Sequence, residues 1–353
     1  MKKHIMAAAF SVVFAVVAFS GCGTKADSSA EKSSSSADSS DVSQVQSEPT
    51  PEQEREDGIE SGKYDPVQVN DEVESSVEAG KTEPASPSGY YSFTWSDFGD
   101  VYSNEELEDC FDRLQKICSE SYFDLAFSYK NINTGAYVGY NQYTDFMTCS
   151  TIKAPYVKSI LQNGIDLSEI ITRNYIWPGD DGTVALAPYG TTYTAKQLIE
   201  YTILESDNTA YYLLFNNYGY STYNSNQYQL GSSVLLGDSW IFTYCTSDEM
   251  MYNFEDIYHF GEENETGAWL IDLLSDTDVN MQIGQALGGK YKVAQKYGSE
   301  FNEIVFNDCA IVYADSPFVL SIFTNQMPET EESCKVFKDL AVVFDDINTL
   351  LAE

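Results

Sequence analysis

The sequence predicts an α+β sandwich, in which an antiparallel sheet is drawn from both ends of the folded region and flanked by helices, with an all-helical lobe inserted between the two halves. Three observations carry this expectation. One helix-period stretch and two strand-like stretches come first, a middle that reads as helices follows, and two strongly apolar strand-like runs with a closing helix come last.

The elements follow in order. Residues 104–118 read as a helix, because Leu107, Phe111, Leu114 and Ile117 recur on one face. Residues 125–140 read as two strands around the Asn133-Thr134-Gly135 turn. Ser150 opens an apolar helix that runs to about Leu161. Residues 194–218 read as a helix, a turn at Ser206, and a second helix. Residues 304–313 and 318–324 are strand-like on either side of the Asp315-Ser316-Pro317 turn, and residues 330–351 close the chain as a helix. Gly288-Gly289-Lys290 reads as a turn, since it lacks the remaining glycine of a phosphate loop and is followed by tyrosine.

Three segments divide the chain. Residues 1–22 have the order of an export signal: Lys2 and Lys3, an apolar run from Ile5 to Phe19, then Ser20-Gly21-Cys22. The apolar run is too short for a comfortable membrane span. Small residues directly before Cys22 resemble the lipobox of bacterial lipoproteins, which implies lipidation at Cys22 and a place on the outer face of the bacterial cytoplasmic membrane. Residues 23–88 are dominated by Ser, Asp, Glu, Lys, Gln and Pro, and cannot bury enough apolar area to offset their ordering entropy. As a flexible tether they reach on the order of 45 Å. Residues 89–353 form the folded domain.

Composition removes several function classes. With 19 Lys and Arg against 55 Asp and Glu, the formal net charge is −36, which argues against nucleic acid and anionic lipid surfaces as partners. There is no zinc-type Cys/His spacing, and no metal or organic cofactor is called for. His4 lies in the export signal, so a Ser-His-Asp triad would rest on His259 alone.

The chemistry sits elsewhere. In Ser150-Thr151-Ile152-Lys153 the serine and lysine are three apart, so on a helix they share a face. A partly desolvated amine there can lose its proton near neutral pH and serve as general base for the serine. Ser206-Asp207-Asn208 adds a second hydroxyl that can relay a proton and an amide that can hold a substrate. Taken alone, each motif also fits a helix cap or a turn, and Ser29 with Lys32 repeats the first spacing in the tether.

With their flanks, these motifs resemble the class A β-lactamase and penicillin-binding-protein superfamily of active-site serine enzymes. The likeness runs from the Asn133-Thr134-Gly135 hairpin through the Cys149 to Pro155 nucleophile helix to the second motif at Ser206-Asp207-Asn208-Thr209-Ala210. The best match to the third family motif is Lys296-Tyr297-Gly298, on a strand edging the active site. The resemblance implies a β-lactamase-like sandwich and acyl transfer, with a β-lactam or a peptidoglycan stem peptide of the D-Ala-D-Ala type as substrate. Ser150 then resembles the nucleophile, Lys153 its base, and Ser206 the serine that passes a proton to the leaving nitrogen. Asn208 resembles the group that holds the substrate amide, and Asp207 a buried structural carboxylate. Lys296 matches the cation that receives the substrate carboxylate, with Tyr297, Gly298 and Ser299 as its neighbours in substrate binding. The N–H groups of Ser150 and Ser299 would form the oxyanion hole.

Two departures matter. Tyr297 stands where the family carries a small hydroxyl residue, and its phenol is too long to replace that hydroxyl, leaving Ser299 to compensate. Between Asn208 and Ser247 there is no glutamate to activate a deacylating water, and Asp238 is the single acid there. Asn224, Asn226 and Gln227 can orient a water without deprotonating it. This pattern implies slow deacylation, as in a penicillin-binding protein. The alternatives are an esterase or amidase on another substrate, or an inactive lipoprotein that binds cell-wall peptide. Besides Cys22 there are six cysteines, read as buried unpaired thiols, while the resemblance also allows a disulfide at Cys149.

Overall fold

The structure, a computed structural model, describes residues 93–99, 105–238, 241–278 and 282–352. The export signal, Cys22, the tether, and Ser239 and Trp240 lie outside the described residues.

One six-stranded antiparallel sheet organises the domain. Its strands are β1 (Phe93–Ser96), β2 (Leu125–Asn131), β3 (Tyr137–Tyr140), β8 (Lys292–Glu300), β9 (Val305–Tyr313) and β10 (Phe318–Thr324), in the order β1-β3-β2-β10-β9-β8. The N-terminal and C-terminal halves meet where β2 pairs with β10, Leu125 opposite Thr324 and Asn131 opposite Phe318. The sheet is therefore built from both ends of the folded region, and β8 is left as an edge strand.

Both faces of the sheet are covered, which explains why its central strands are buried almost end to end. All seven residues of β10 are buried. Phe318, Leu320 and Ile322 pack into one cluster, with Leu107, Phe111 and Leu114 of α1 (Glu105–Glu120) and Phe337, Leu340 and Phe344 of α10 (Glu331–Ala352). Val319 and Phe323 point the other way, into a second cluster with Met250, Phe254 and Ile257 of α7 (Ser247–Glu263). This is period-2 alternation with no polar face left over.

The middle of the chain forms the helical lobe. A 3-10 turn (Cys149–Ile152) leads into α2 (Lys153–Gln162); α4 (Ala195–Leu204), α5 (Asn208–Tyr218), α6 (Ser221–Gln229) and α8 (Glu265–Ser275) pack around it. Short α3 (Thr183–Leu186) and α9 (Ile283–Leu287) complete the set. Two ribbons seam the lobe: β4 (Phe146–Met147) with β7 (Tyr244–Cys245), and β5 (Ile170–Thr172) with β6 (Thr192–Thr194). Tyr211 and Tyr223 are fully buried and pack around Tyr156, so they serve the lobe core.

The helices and strands given individual bounds from the sequence hold to within a residue or two, with two refinements. Ser150 lies in the 3-10 turn rather than the α-helix, and Ile304 is in the turn before β9, at φ 53°. Strand β1, the two ribbons, and helices α3 and α6 to α9 have no individual counterpart in the sequence reading.

Candidate active site

The nucleophile candidate is presented by a strained, pinned turn. Cys149 has φ 47°, a left-handed conformation that costs a non-glycine residue about 1–2 kcal/mol, and it aims the chain out of β4 into the 3-10 turn. Thr148 is held from both sides: its N–H donates to Thr243 O at 2.8 Å, and its hydroxyl accepts from Thr243 N at 3.3 Å. Asn307 of β9 donates to Met147 O at 2.8 Å, tying the same turn to the sheet. A 3-10 turn has three residues per turn, so Ser150 and Lys153 eclipse along its axis. The serine–lysine spacing thus works here through a 3-10 turn.

Edge strand β8 closes on this turn at Gly298. A β-carbon at Gly298 would stand 2.7 Å from Ser150 N and 2.9 Å from Thr148 O, both backbone atoms that cannot swing aside. Only glycine lets the strand approach this closely. The approach sets Gly298 against the Ser150 amide, the close contact of strand and turn that an oxyanion hole built across them requires.

Second-motif residues and both lysines converge on Ser206. This residue sits between α4 and α5 at φ 59°, another strained position. Lys153 Nζ donates to Ser206 O at 2.6 Å and Asn208 Oδ1 at 2.5 Å, and lies 3.2 Å from Ser206 Oγ. Lys296 Nζ reaches the same Oγ at 2.9 Å, and Tyr297 O at 3.3 Å. No hydrogen bond joins Lys153 to Ser150 among the described residues. Asp207 is buried and structural: Oδ1 accepts from Ala210 N, capping α5, and Oδ2 accepts from Val184 N, each at 2.7 Å.

Burial sets the protonation of the two amines. Both lysines are essentially inaccessible. Desolvation, followed by the nearby Lys296 charge, pushes Lys153 well below the usual lysine range. Desolvation lowers Lys296 to about 7, with the Asp308 carboxylate behind it acting in the opposite direction. Asp308, buried in β9, is itself raised to about 7 by burial, while Ile283 N donates to its Oδ2 at 3.1 Å.

A proton inventory then assigns capacities. A neutral Lys153 has two N–H bonds and one lone pair. Ser206 O and Asn208 Oδ1 can only accept, so they take the two protons. The lone pair is left for a hydroxyl: Ser206 Oγ, or Ser150 one 3-10 turn back. Ser206 Oγ accepts from Lys296, which leaves its own proton to give away. The arrangement can therefore take a proton from a serine and return one to a leaving group, without histidine.

Two further segments enclose the site, and sequence reasoning found neither. The first lies between β5 and β6, where Asp180 Oδ2 accepts from Thr209 N at 2.7 Å and from its hydroxyl at 2.6 Å. Trp177 N donates to the same hydroxyl at 3.0 Å. The second is the stretch before β7. Here Ile241 O accepts from Tyr211 Oη at 2.7 Å, and the Phe242 ring lies 5.9 Å from Lys153 Nζ, next to the Tyr211 ring, which is 5.8 Å from the amine and 5.7 Å from the Phe242 ring. Trp177 and Phe242 meet edge-on at 5.6 Å, joining the two segments over the amine.

Comparison with known proteins agrees with this fold. The profile described as the beta-lactamase enzyme family matches residues 109–344, which span both sheet halves and the lobe. The chain belongs to that family. A penicillin-binding protein, PBP-A, superposes with TM-score 0.59 at 19% identity, covering 67% of this chain and 95% of that one. A β-lactamase from Sphaerobacter thermophilus gives 0.61 at 18% identity, covering 69% and 97%. A class A β-lactamase from Mycobacterium abscessus gives 0.59 at 19% identity, covering 67% and 98%. A PBP-A variant, matching at 18% identity with TM-score 0.59 over 67% of this chain and 95% of that one, is an acyl-enzyme complex with penicillin G. No curated protein matches the chain.

The remaining sequence candidates of this β-lactamase-family chain fall as follows. The Tyr297 ring lies 4.8 Å from Lys296 Nζ, packed against the cluster behind the sheet. Ser299 Oγ donates to Glu329 Oε1 at 3.4 Å. Asp238 is exposed. Asn224 exchanges hydrogen bonds with Leu236, Asn226 donates to Gln162, and Gln227 pairs with Asn253. All three amides are engaged in holding the lobe together. The six described cysteines are free and buried; burial raises the Cys149 thiol to about 12.

Proposed function

We propose that this chain is a membrane-tethered serine hydrolase of β-lactamase type that forms an acyl-enzyme at Ser150 with β-lactams or D-Ala-D-Ala-like peptides and releases it slowly. One observation carries the reading. Lys153 is buried, pushed toward its neutral form, and has both N–H bonds committed to acceptor-only oxygens, so its lone pair is left for a hydroxyl, Ser206 Oγ at 3.2 Å or Ser150 one 3-10 turn back. Ser150 attacks the substrate carbonyl while Lys153 takes its proton, and Ser206, recharged by Lys296, protonates the departing nitrogen. The Ser150 and Ser299 amides hold the oxyanion, a contribution typically worth about 3–4 kcal/mol per donor.

Slow release rests on the wall around the amine. The loop that would bring a base to the ester carbonyl contributes the Phe242 ring at 5.9 Å from Lys153, while its one acid, Asp238, is exposed. The acyl-enzyme of the PBP-A variant supports β-lactam acylation by analogy of fold. Tethering rests on the Cys22 lipobox, and Cys22→Ala is expected to release the protein from the membrane fraction.

Intact-protein mass spectrometry of residues 89–353 with a penicillin, followed over time, tests the reading. A long-lived adduct that vanishes in Ser150→Ala is expected. An adduct that clears quickly with drug consumed would overturn slow deacylation. No adduct and no drug loss would overturn β-lactam acylation and favour a module that only binds cell-wall peptide.

A further inference from the structure

The end of β8, where a substrate's leaving-side group would lie, has the wrong charge for a carboxylate. Three carboxylates surround it: Glu300 on the strand, Glu303 in the following turn, and Glu329 in the turn between β10 and α10. Glu300 Oε1 accepts from Asn302 N and Nδ2, both at 2.9 Å, which folds it onto the strand end. Glu303 is exposed, and Glu329 is exposed in a left-handed conformation at φ 58°. Their field reaches the catalytic turn: after burial, Glu300 is the largest influence raising the Cys149 thiol, with Glu303 adding to it, and Glu329 raises the Tyr297 phenol.

The groups that would welcome an anion there are engaged elsewhere. Ser299 Oγ, the hydroxyl left to replace the one missing at Tyr297, lies 3.4 Å from Glu329 Oε1, so a carboxylate already stands at the group an incoming anion would need. Lys296 is 1% exposed, turned toward Ser206, and lies beside the Tyr297 ring. Exposed Phe301 and Ile304 add apolar surface to the same turn.

We propose, resting on the acyl-transfer reading above, that this site selects acyl donors whose leaving side is uncharged or carries an ammonium group, and that Glu300, Glu303 and Glu329 set this preference against a free carboxylate. The substrate class is then a peptide or lactam in which the carboxylate next to the scissile bond is amidated, esterified or extended by an amine-bearing residue. The reaction is unchanged: the C–N bond breaks, Ser150 Oγ takes the acyl group, and the nitrogen leaves with a proton from Ser206.

The test compares Ser150 acylation by penicillin G, its methyl ester and an aminoethyl ester, each rate divided by that compound's hydroxylamine reactivity without protein. The order aminoethyl ester, then methyl ester, then penicillin G is expected, with roughly tenfold between the neutral and anionic compounds at low salt. The gap should narrow as salt screens the carboxylates, and again in Glu329→Gln and Glu300→Gln. Penicillin G acylating as fast as its ester would overturn this preference and leave the serine mechanism intact. A preference that persists unchanged in both variants would overturn the assignment to these carboxylates. No adduct with any of the three would overturn the acyl-transfer reading itself.

Discussion

At the scale of single residues, the proposed acylation depends on which amine holds a proton. Lys153 must be neutral to accept from Ser150, and burial beside Lys296 makes it so. Acidification charges Lys153 and removes the base, so acylation falls on the acid side. Lys296 must carry its proton to recharge Ser206, and it gives that proton up at about 7, so acylation also falls as pH rises through that value. Asp308 supports the Lys296 charge from behind. Asp308→Asn should therefore move the alkaline limb of the acylation profile to lower pH, measured by stopped-flow acylation across pH 5–9. A limb that stays in place or moves upward would show that Asp308 does not hold that charge. Lys153→Arg keeps a cation that cannot become neutral, and acylation should drop by about 10²–10⁴-fold while the fold persists.

Among the catalytic candidates, Ser150 and Lys153 stand out through local spacing, whereas Ser206 and Lys296, 53 and 143 residues beyond Lys153, are found through the motifs and flanks that carry the family resemblance. Asp308 was missed although a signal existed: Asn307 and Asp308 interrupt an otherwise apolar strand run, and a carboxylate buried there needs a reason. Trp177, Asp180 and Phe242 left no such signal. Their place at the site arises from backbone contacts with Thr209, Tyr211 and Thr148, partners more than 25 residues away in sequence.

At the scale of elements, edge strand β8 and the 3-10 turn form one device. Strand position fixes where Ser299 N points, and the absence of a side chain at Gly298 fixes how near the strand comes. Gly298→Ala puts a methyl group 2.7 Å from Ser150 N, so strand or turn must shift. Acylation should fall by roughly 10²–10³-fold, the typical effect of losing one oxyanion donor, with circular dichroism unchanged. Near-normal acylation in this variant would remove the strand from the oxyanion hole. The apolar runs that became β9 and β10 were readable at sight, because strands covered on both faces have no polar alternation to blur them. Strand β1 was not, since four residues beyond a polar tether carry too little pattern, and pairing with β3 decides them.

At the scale of the whole molecule, the site lies where the sheet edge meets the lobe, so stability and function share supports. The closing helix is locked to the sheet by a buried polar network. Tyr129 Oη and Asn131 Nδ2 both donate to Asn348 Oδ1 at 2.8 Å, and Asn348 Nδ2 donates to Ser316 O at 2.9 Å. Asn348→Ala leaves these groups buried without their partner, and should lower unfolding free energy by about 1–3 kcal/mol in urea titration. Because the network lies among α10 and the N-terminal half of the sheet, native acylation at Ser150 should survive. The sandwich with its inserted lobe was legible as element order alone, since strands at both ends of a region share a sheet only if the middle folds out. The enclosing segments over Lys153 were not, because they are loops whose course the lobe dictates.

The most direct test of the central claim is the pre-steady-state time course of a chromogenic β-lactam ester with the purified domain. A burst approaching one equivalent per protein, followed by much slower turnover and absent in Ser150→Ala, is the predicted result. Linear turnover without a burst would contradict slow release of the acyl-enzyme, and no reaction would contradict the acylation of Ser150 itself.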